Sequence, residues 1–356
     1  MARILTLGVF GAAAGAFERL RPSTGRYARG LRLQQGLLTW DGDWYTRIAH
    51  EGYAALPADG LRYFPLYPLL SRGLAWVPGI SIELALVLIA NVSALAAGVL
   101  LHRLAREELG DDRLAVRAAW LLALTPASFV LVLGYTEGLA IALAVGTFLA
   151  LRASHWGGAA ALGALGALLR PTGVLIAVPV AWEAVKVWRE GGFRERLWCL
   201  PAVAAPFAGA GAYLLWVGVR FGDALEPLSV QQSSRFRGSI VNPLVVFWRG
   251  VKDLWSSYYG GNALRVPFAV AVIVLTIVCV RRLPGSYGAY TVASVAVMLS
   301  TERWSSLERY ALGTFPLVLA LASVTDSPRV ERAVLVLSAS GMCVYTFLSF
   351  LGPAFP

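Results

Sequence analysis

Long apolar runs separated by short polar segments dominate the chain. They have lengths of roughly 15–24 residues, close to the ~20 that a helix needs to cross a bilayer. The runs lie near 3–17, 81–101, 116–133, 138–152, 157–169, 173–188, 198–219, 265–280, 285–300, 311–325 and 332–351. This pattern predicts an all-α polytopic membrane protein with about eleven transmembrane helices.

A shorter apolar run, 64–78, is interrupted by Pro65, Pro68, Arg72 and Pro78. We expect it to form a juxtamembrane or re-entrant helix rather than a full span. Met1 is then cytoplasmic, as are the short loops rich in basic residues, which agrees with the positive-inside rule. These loops contain Arg103, Arg106, Arg113, Arg117, Lys186, Arg189, Arg194, Arg196, Arg281, Arg282, Arg329 and Arg332.

The same topology brings five polar clusters to the outer face. They are residues 40–68, Tyr135-Thr136-Glu137, Arg170-Pro171-Thr172-Gly173, the 220–264 loop, and Glu302 to Tyr310. We predict one membrane domain over residues 1–356. Its two large extracytoplasmic loops are 18–63, which carries the main motif, and 220–264, which are too short to form domains of their own.

Composition supports a membrane protein and excludes several other classes. The chain is 57% hydrophobic and 15% charged, with a formal net charge of +10. In a membrane protein such positive charge orients cytoplasmic loops and contacts anionic lipids, so no nucleic-acid partner is expected. Cys199, Cys279 and Cys343 lie in apolar runs without CxxC spacing, which argues against a disulfide framework or a thiolate metal site.

Two aspartates in Trp40-Asp41-Gly42-Asp43-Trp44-Tyr45 are candidates for proton transfer. Charge beside a membrane is costly and typical of functional sites. One carboxylate can act as a general base toward an attacking hydroxyl. Equally, both aspartates can cap a helix that begins near Trp44. The pattern leaves both interpretations open.

A divalent-cation site built from Asp41, Asp43, His50 and Glu51 is a further possibility, because hard oxygen ligands with one imidazole can hold magnesium or manganese. No recognised ligand spacing supports it. We therefore predict no metal and no cofactor, and we expect His50 to bond a ligand or to stabilise its loop.

Cationic and amide side chains recur in the other outer clusters. Glu137 and Arg170 stand at the outer ends of predicted spans, where a structural ion pair and a substrate role remain equally open. Arg303 and Arg309, with Arg235 and Arg237, can hold a phosphate-linked substrate or an ordinary anionic headgroup. Gln231 and Gln232 can bond sugar hydroxyls.

The motifs in series resemble the PIG-V family, the GPI mannosyltransferase 2 type enzymes and their prokaryotic relatives within the GT-C glycosyltransferase superfamily. The resemblance runs from about residue 36 to 317 and follows the family's order. The residues that carry it are Trp40-Asp41, Tyr45, Ile48-Ala49, Gly52-Tyr53, Phe64-Pro65-Leu66-Tyr67-Pro68, Pro126, Phe129, Tyr135-x-Glu137, Arg170-x-x-Gly173, Phe221-Gly222, Gln231-Gln232, Ser306-x-x-Arg309-Tyr310 and Phe315-Pro316.

The resemblance implies a GT-C-type fold and an inverting glycosyltransferase, with mannose as the usual sugar. The donor would be a polyprenyl-phosphate sugar, and the acceptor a hydroxyl of a lipid, glycan or protein. Catalysis would take place at the extracytoplasmic face of a multi-pass protein in a prokaryotic plasma membrane.

Individual site residues follow from the same resemblance. The family's early acidic residue maps onto Asp41 as the general base, and Arg309 and Arg170 map onto contacts to the donor phosphate. The role of Asp43 stays open. The expected substrate-binding residues are Asp43, Tyr45, His50, Tyr67, Glu137, Arg170, Gln232, Arg309 and Tyr310.

A transporter or flippase for lipids or polyprenyl-linked glycans is the alternative from another class. It predicts polar residues facing each other through the membrane midplane. The charges of this chain concentrate instead at one predicted face, and no internal repeat is evident, which favours the enzyme.

Overall fold

A computed structural model describes residues 2–20, 32–255, 262–325 and 327–351. Helices dominate these residues, and their only β pairing is an isolated bridge between Ile240 and Thr301. The predicted all-helical fold is therefore confirmed. Residues 21–31 of the predicted first loop and 256–261 of the second lie outside the described part of the chain.

The α-helices of the described residues are numbered in chain order. They are α1 (Ala2–Leu20), α2 (Asp41–Glu51), α3 (Leu66–Leu74), α4 (Ile82–Leu109), α5 (Asp112–Leu124), α6 (Glu137–Arg152), α7 (Trp156–Leu169), α8 (Ala177–Glu190), α9 (Phe193–Phe221), α10 (Glu226–Gln231), α11 (Pro243–Asp253), α12 (Val266–Arg282), α13 (Gly285–Leu299), α14 (Leu307–Gly313), α15 (Pro316–Ser323) and α16 (Pro328–Leu351).

The chain divides into two compact units. The first unit contains Met1–Gly52, Tyr67–Leu139 and Ala322–Pro356, and the second unit contains Tyr53–Leu66 and Ala140–Leu321. Each unit therefore joins segments that are distant in the sequence. The prediction of a single membrane domain stays a prediction.

In the first unit, α1 packs against α16, and α4 packs against α5. The start of α6 lies so close to α4 that only glycine fits at Gly138. A Cβ atom there would be 2.8 Å from the backbone nitrogen of Ala94 and 2.9 Å from the carbonyl oxygen of Ala90. Glu137, the neighbouring residue, is thereby held against α4.

In the second unit, α9 lies along α7. The contact again depends on a small residue, because a Cβ atom at Gly209 would be 2.2 Å from the carbonyl oxygen of Ala164. A buried aromatic group of Phe148, Tyr287, Tyr290 and Phe315 packs elsewhere in this unit, with the Phe148 and Tyr287 ring centres 4.5 Å apart.

Three helices of the described residues are long and apolar enough to cross a membrane: Ile82–Leu109, Glu195–Phe221 and Pro328–Leu351. Shorter apolar helices cover Ala2–Phe17, Trp156–Leu169 and Gly285–Leu299. The count of eleven spans therefore stays a prediction. Helix α3 has 9 residues, a length of about 13 Å, which agrees with the short helix expected near 64–78.

Two of the predicted apolar spans are broken by proline. Helix α5 ends at Leu124, and a 3-10 segment follows over Pro126–Leu131. The run 311–325 is divided between α14 and α15, which begins at Pro316. Since proline lacks a backbone N–H and restricts the preceding residue, each proline starts a new segment. The prediction of continuous helices over these runs was wrong.

Arg117, expected in a cytoplasmic loop, is instead buried within α5, with 4% of its surface exposed. Its guanidinium donates hydrogen bonds to the carbonyl oxygen of Ala322 at 3.2 Å, to the hydroxyl of Thr325 at 2.9 Å and to the carboxylate of Glu331 at 2.7 Å. Arg117 therefore ties α5 to the chain segment that leads into α16.

Candidate active site

Helix α2 begins at Asp41, three residues earlier than the helix start expected near Trp44. The residue before it, Trp40, has φ 54° and ψ −111°, which L-residues rarely adopt. Neither aspartate precedes the helix as a cap. Both lie in its first turn and are half-buried, where carboxylates face the positive end of the helix dipole. The capping interpretation was therefore wrong in its geometry.

The backbone under Asp41 is fixed by the Gly134–Glu137 segment. The Asp41 N–H donates a hydrogen bond to the phenol oxygen of Tyr135 at 3.4 Å, and the Gly134 N–H donates one to the carbonyl oxygen of Leu37 at 2.8 Å. The approach is close, since a Cβ atom at Gly134 would lie 2.6 Å from Cδ2 of Leu38. These contacts hold the unusual Trp40 conformation in place.

Asp43 has surroundings different from those of Asp41. Its Oδ1 accepts a hydrogen bond from the Gln35 amide at 3.0 Å, and Arg47 lies nearby. Burial raises the pKa of Asp43 above its usual value, while the charge of Arg47 and the bond from Gln35 oppose this rise. The two aspartates therefore differ in environment, as expected for residues that cannot share one helix face.

Glu137, Tyr45 and Tyr67 form a buried group in the first unit. Glu137 is 1% exposed, and its charge acts on the Tyr67 phenol. The rings of Tyr45 and Tyr67 meet edge to face, with centres 4.9 Å apart, and the Tyr67 hydroxyl donates to the carbonyl oxygen of Leu86 at 2.7 Å. These three predicted residues come together and stabilise the structure around α2.

His50 lies at the exposed end of α2. Its Nε2 is 2.7 Å from Oε1 of Glu83, the second residue of α4. This pair gives His50 a stabilising contact that its local sequence does not reveal. Within the described ranges, no three His, Cys, Asp or Glu side chains gather in a group that could hold a metal ion.

In the second unit, three arginines surround the ring of Tyr310. The guanidinium carbon of Arg237 lies 3.8 Å from the ring centre, and those of Arg170 and Arg309 each lie 5.6 Å from it. Distances below about 6 Å allow cation–π attraction. Two of these arginines and Tyr310 were predicted from sequence; Arg237 was not among the predicted site residues.

A fourth arginine, Arg62, extends this group. Its guanidinium carbon lies 4.0 Å from the ring centre of Phe236 and 4.6 Å from that of Tyr63. It also donates a hydrogen bond to the side-chain oxygen of Gln231 at 3.5 Å. The predicted residue Gln232 is exposed at the end of α10. We call Arg62, Arg170, Arg237 and Arg309 the arginine cluster.

The arginine cluster concentrates positive charge. Burial lowers the pKa of Arg237 from its ordinary value; Tyr310 raises it, and the charges of Arg309, Arg170 and Arg62 lower it further. Such mutual repulsion is relieved when an anion binds. Guanidinium groups are well suited to this role because they hydrogen-bond phosphate in a bidentate fashion.

Helix ends position Arg170 and Arg309. Arg170 follows α7 in an extended conformation, and its carbonyl accepts from the Gly173 N–H at 2.9 Å. A Cβ atom at Gly173 would be 2.0 Å from the carbonyl oxygen of Gly166, so this turn requires glycine. Arg309 lies in the first turns of α14 and is 8% exposed.

An elongated cavity in the second unit ends at the arginine cluster. Its polar part is formed by Arg170, Arg237 and Tyr310. The remaining wall is mostly aliphatic, with hydroxyls from a few residues. The lining also includes Ala140, Leu143, Ala144, Thr147, Leu162, Gly166, Leu175, Ile176, Tyr290, Ser294, Val297, Met298 and Thr314. A molecule with an anionic head and an apolar body matches this lining.

Sequence reasoning missed Arg62 and Arg237 as site residues for an identifiable reason. Each lies outside the helices, so no periodic pattern indicates its position. The only signal was the density of arginine in residues 235–237 and next to the aromatic residues Tyr63 and Phe236. Long-range packing within the second unit supplies the rest.

Comparison with known proteins gives two matches and one negative result. The family model described as Mannosyltransferase (PIG-V) matches residues 23–186. The crystal structure of ArnT from Cupriavidus metallidurans bound to undecaprenyl phosphate has a similar fold, with a TM-score of 0.51, 16% identity, and coverage of 86% of this chain and 71% of that chain. No curated protein sequence matches the chain.

A weaker likeness is to the Archaeoglobus fulgidus oligosaccharyltransferase tethered with an acceptor peptide. Its TM-score is 0.46 at 16% identity, with coverage of 99% of this chain and 56% of that chain. The chain thus spans a little over half the length of that enzyme. The family match and the GT-C fold confirm the resemblance found in the sequence and identify the chain as an integral-membrane glycosyltransferase related to the PIG-V mannosyltransferases.

Proposed function

We propose that the protein is an inverting mannosyltransferase that uses a polyprenyl-phosphate mannose donor. The acceptor is a hydroxyl of a lipid, glycan or protein. The reaction takes place at the extracytoplasmic face of a prokaryotic plasma membrane, in a chain that crosses the membrane about eleven times.

The cavity of the second unit is the observation that carries this proposal. Its aliphatic wall suits the first isoprene units of a polyprenyl chain, and Arg170 and Arg237 at its end suit the phosphate. The comparison protein ArnT was crystallised with undecaprenyl phosphate, a ligand of this amphiphilic kind. Arg309 and Tyr310 complete the polar end through their contacts with each other.

The chemistry assigns separate roles to the two units. The acceptor oxygen forms a bond to the anomeric carbon while the bond from that carbon to the phosphate oxygen breaks. The electron pair of the broken bond stays on the phosphate, whose added charge the arginine cluster stabilises. The proton of the acceptor hydroxyl passes to the Asp41 carboxylate, which acts as the general base.

Supporting residues follow from their contacts. Tyr135 and Glu137 hold the start of α2, while Tyr45 and Tyr67 pack beside them. We propose that Asp43, His50 and Gln232 contact the acceptor or the sugar. The proposed reaction uses no metal ion, so transfer is expected to persist in EDTA.

Transfer of labelled mannose by the purified protein tests the proposal. With polyprenyl-phosphate mannose as donor, the wild-type protein should transfer the sugar to an acceptor or slowly to water. Asp41→Asn should lower the rate by at least about a hundredfold, the low end for loss of a general base. Asp112→Asn, which changes an exposed aspartate at the start of α5, is the matched control. Full activity of Asp41→Asn would refute the assignment of the base.

A panel of donors separates the proposal from its competitors. Transfer from a polyprenyl-phosphate hexose other than mannose would correct the sugar and keep the enzyme class. Binding of donor without turnover over a wide range of lipid, glycan and protein acceptors would contradict an enzymatic function for the protein.

A further inference from the structure

The charge of the arginine cluster exceeds what one phosphodiester needs. The groups that act on Arg237 are three further arginines and the neutral phenol of Tyr310. No carboxylate of the described residues is among them. A phosphodiester carries one negative charge, so a single bound donor would leave most of this positive charge uncompensated.

The nearby carboxylates of the second unit are already engaged. Glu308, the residue before Arg309, pairs with Arg265 at 3.6 Å, and Asp59 pairs with Arg235 at 2.8 Å. Glu302 packs against Gly238 but is exposed, where solvent screens its charge. These positions leave the positive charge of the cluster available to a ligand.

The cluster also holds hydrogen-bond donors ready for an anion. The Nε–H of Arg62 is buried and has no acceptor within the described part of the chain. The Phe236 ring at 4.0 Å holds the Arg62 guanidinium in position. Arg237 is fixed by its place over Tyr310 and by a hydrogen bond to the carbonyl oxygen of Ser305 at 3.3 Å. Arginines fixed in this way lose little side-chain freedom when a ligand binds.

Glycosyl transfer changes the charge of the phosphate. The donor is a monoanionic diester. Once the bond between sugar and oxygen breaks, the electron pair remains on that oxygen, and the product is a monoester with a second ionisation near about pH 6. The lipid product therefore carries up to two negative charges at neutral pH.

We infer that the arginine cluster is selective for a phosphate dianion, and that Arg62 and Arg237 make it so. It holds the released polyprenyl monophosphate more tightly than the phosphodiester donor, and the lipid product consequently inhibits the enzyme. This inference rests on the proposed function, because it takes the cluster to be the site of the donor phosphate.

The protein itself adds little titration near neutral pH in the second unit. Of the 3 histidines in the chain, only His155 belongs to this unit. It precedes α7, whereas Arg170 follows that helix of 14 residues, a separation of about 21 Å along the axis. A pH dependence of phosphate binding between about 5.5 and 8 therefore reports the second proton of the ligand.

Binding of two short lipid probes to the full chain in detergent tests this inference. The probes are farnesyl phosphate, a monoester, and methyl farnesyl phosphate, a diester with the same tail. Isothermal titration at pH 5.5 and pH 8 measures both. We expect the monoester to gain about tenfold in affinity over this range and the diester to stay unchanged. Equal affinity of the probes at both pH values would overturn the inference.

Variants locate the selectivity. Arg237→Gln and Arg62→Gln should each remove most of the pH-dependent gain, while Arg237→Lys keeps the charge and should keep much of it. Arg249→Gln, at an exposed arginine of α11, should behave like the wild type. A gain that survives in both glutamine variants would contradict the role of these arginines. The wild-type comparison remains decisive even where a variant fails to fold.

Two further arms separate sources and failures. Inorganic phosphate should bind much more weakly than farnesyl phosphate, because it lacks the tail that fills the aliphatic wall; equal binding would make the site one for free phosphate and overturn the lipid assignment. Mannosyl transfer without monoester selectivity would contradict this inference alone. Monoester selectivity in a protein that transfers no sugar would contradict the proposed function alone.

Discussion

The phenol oxygen of Tyr135 lies 3.4 Å from the backbone nitrogen of Asp41 and accepts its hydrogen bond. Tyr135 is buried, so it fixes the first turn of α2 from inside the first unit. This contact places a side chain from the Tyr135-x-Glu137 motif directly beneath the proposed base. The two motifs are thus parts of one structural element, although 94 positions separate their residues.

Tyr135→Phe removes this hydrogen bond and leaves the ring in place. We expect the turnover number to fall about threefold to tenfold, because the carboxylate of Asp41 is held less firmly. The free energy of unfolding should fall by only about 1 kcal/mol. Steady-state transfer assays and thermal unfolding measure the two effects. An unchanged turnover number would show that this contact does not position Asp41.

Asp43→Asn should make the protein slightly more stable at neutral pH. The raised pKa of Asp43 means that the folded state disfavours the charged carboxylate. The stability of the wild type is therefore greatest below the usual pKa and decreases as the pH rises through the raised value. The variant avoids this loss. Because Asp43 is half-exposed, we expect a melting temperature only about 1 °C above that of the wild type at pH 7.

Melting curves of both proteins at pH 4 and pH 7 check this sign. The difference between them should shrink toward the lower pH, where the wild-type carboxyl becomes protonated. A variant that is less stable than the wild type at pH 7 would contradict the direction of the shift.

Glu331→Gln should destabilise the first unit strongly. The change leaves the buried guanidinium of Arg117 without its carboxylate partner. Removing one partner of a buried pair costs about 3 kcal/mol. The exposed pair of Arg103 and Glu107 provides a matched control, and Glu107→Gln should cost less than about 0.5 kcal/mol. Denaturant unfolding of both variants measures the contrast, and similar losses would refute it.

Gly138→Ala should impair both folding and activity. The new methyl group would meet the backbone of Ala90 and Ala94 at less than 3.0 Å, so α6 must move away from α4. Overpacking of this kind costs about 1–3 kcal/mol and would displace Glu137. Gly98→Ala meets no atom within 4 Å and should stabilise α4 by up to about 1 kcal/mol. Thermal unfolding and transfer rates distinguish the two alanine variants.

Tyr310→Leu should weaken the binding of lipid phosphate. The ring of Tyr310 holds three guanidiniums close together through cation–π contacts, each typically worth about 0.5–1 kcal/mol. We expect roughly a tenfold loss of affinity for farnesyl phosphate. Tyr310→Phe keeps the ring and should retain most of the affinity. Equal losses in both variants would assign the effect to the hydroxyl group instead of the ring.

The sequence predicted the helical fold and part of the site, and failed where tertiary contacts decide. Arg170, Arg309 and Tyr310 follow from motifs and come together as a group. Arg62 and Arg237 were missed because neither belongs to a helix, and their positions depend on contacts with Phe236 and Tyr310. His50 finds Glu83 across 33 residues, a pairing that no local pattern encodes.

Helix boundaries failed for a related reason. The apolar run 311–325 meets the composition of a span, but Pro316 begins a separate helix within it. Hydropathy measures the environment of a segment and is insensitive to the loss of a single backbone donor. The start of α2 was likewise displaced, because it depends on the contact between Asp41 and Tyr135.

The pairing of Asp59 with Arg235 makes the protein vulnerable at a residue that need not touch substrate. Replacing Arg235 with a neutral residue would release the Asp59 carboxylate, three positions from Arg62. That carboxylate could then compete with phosphate for the arginine cluster. Loss-of-function substitutions in this protein are therefore expected at arginines that keep acidic side chains occupied, as well as at arginines that bind the ligand.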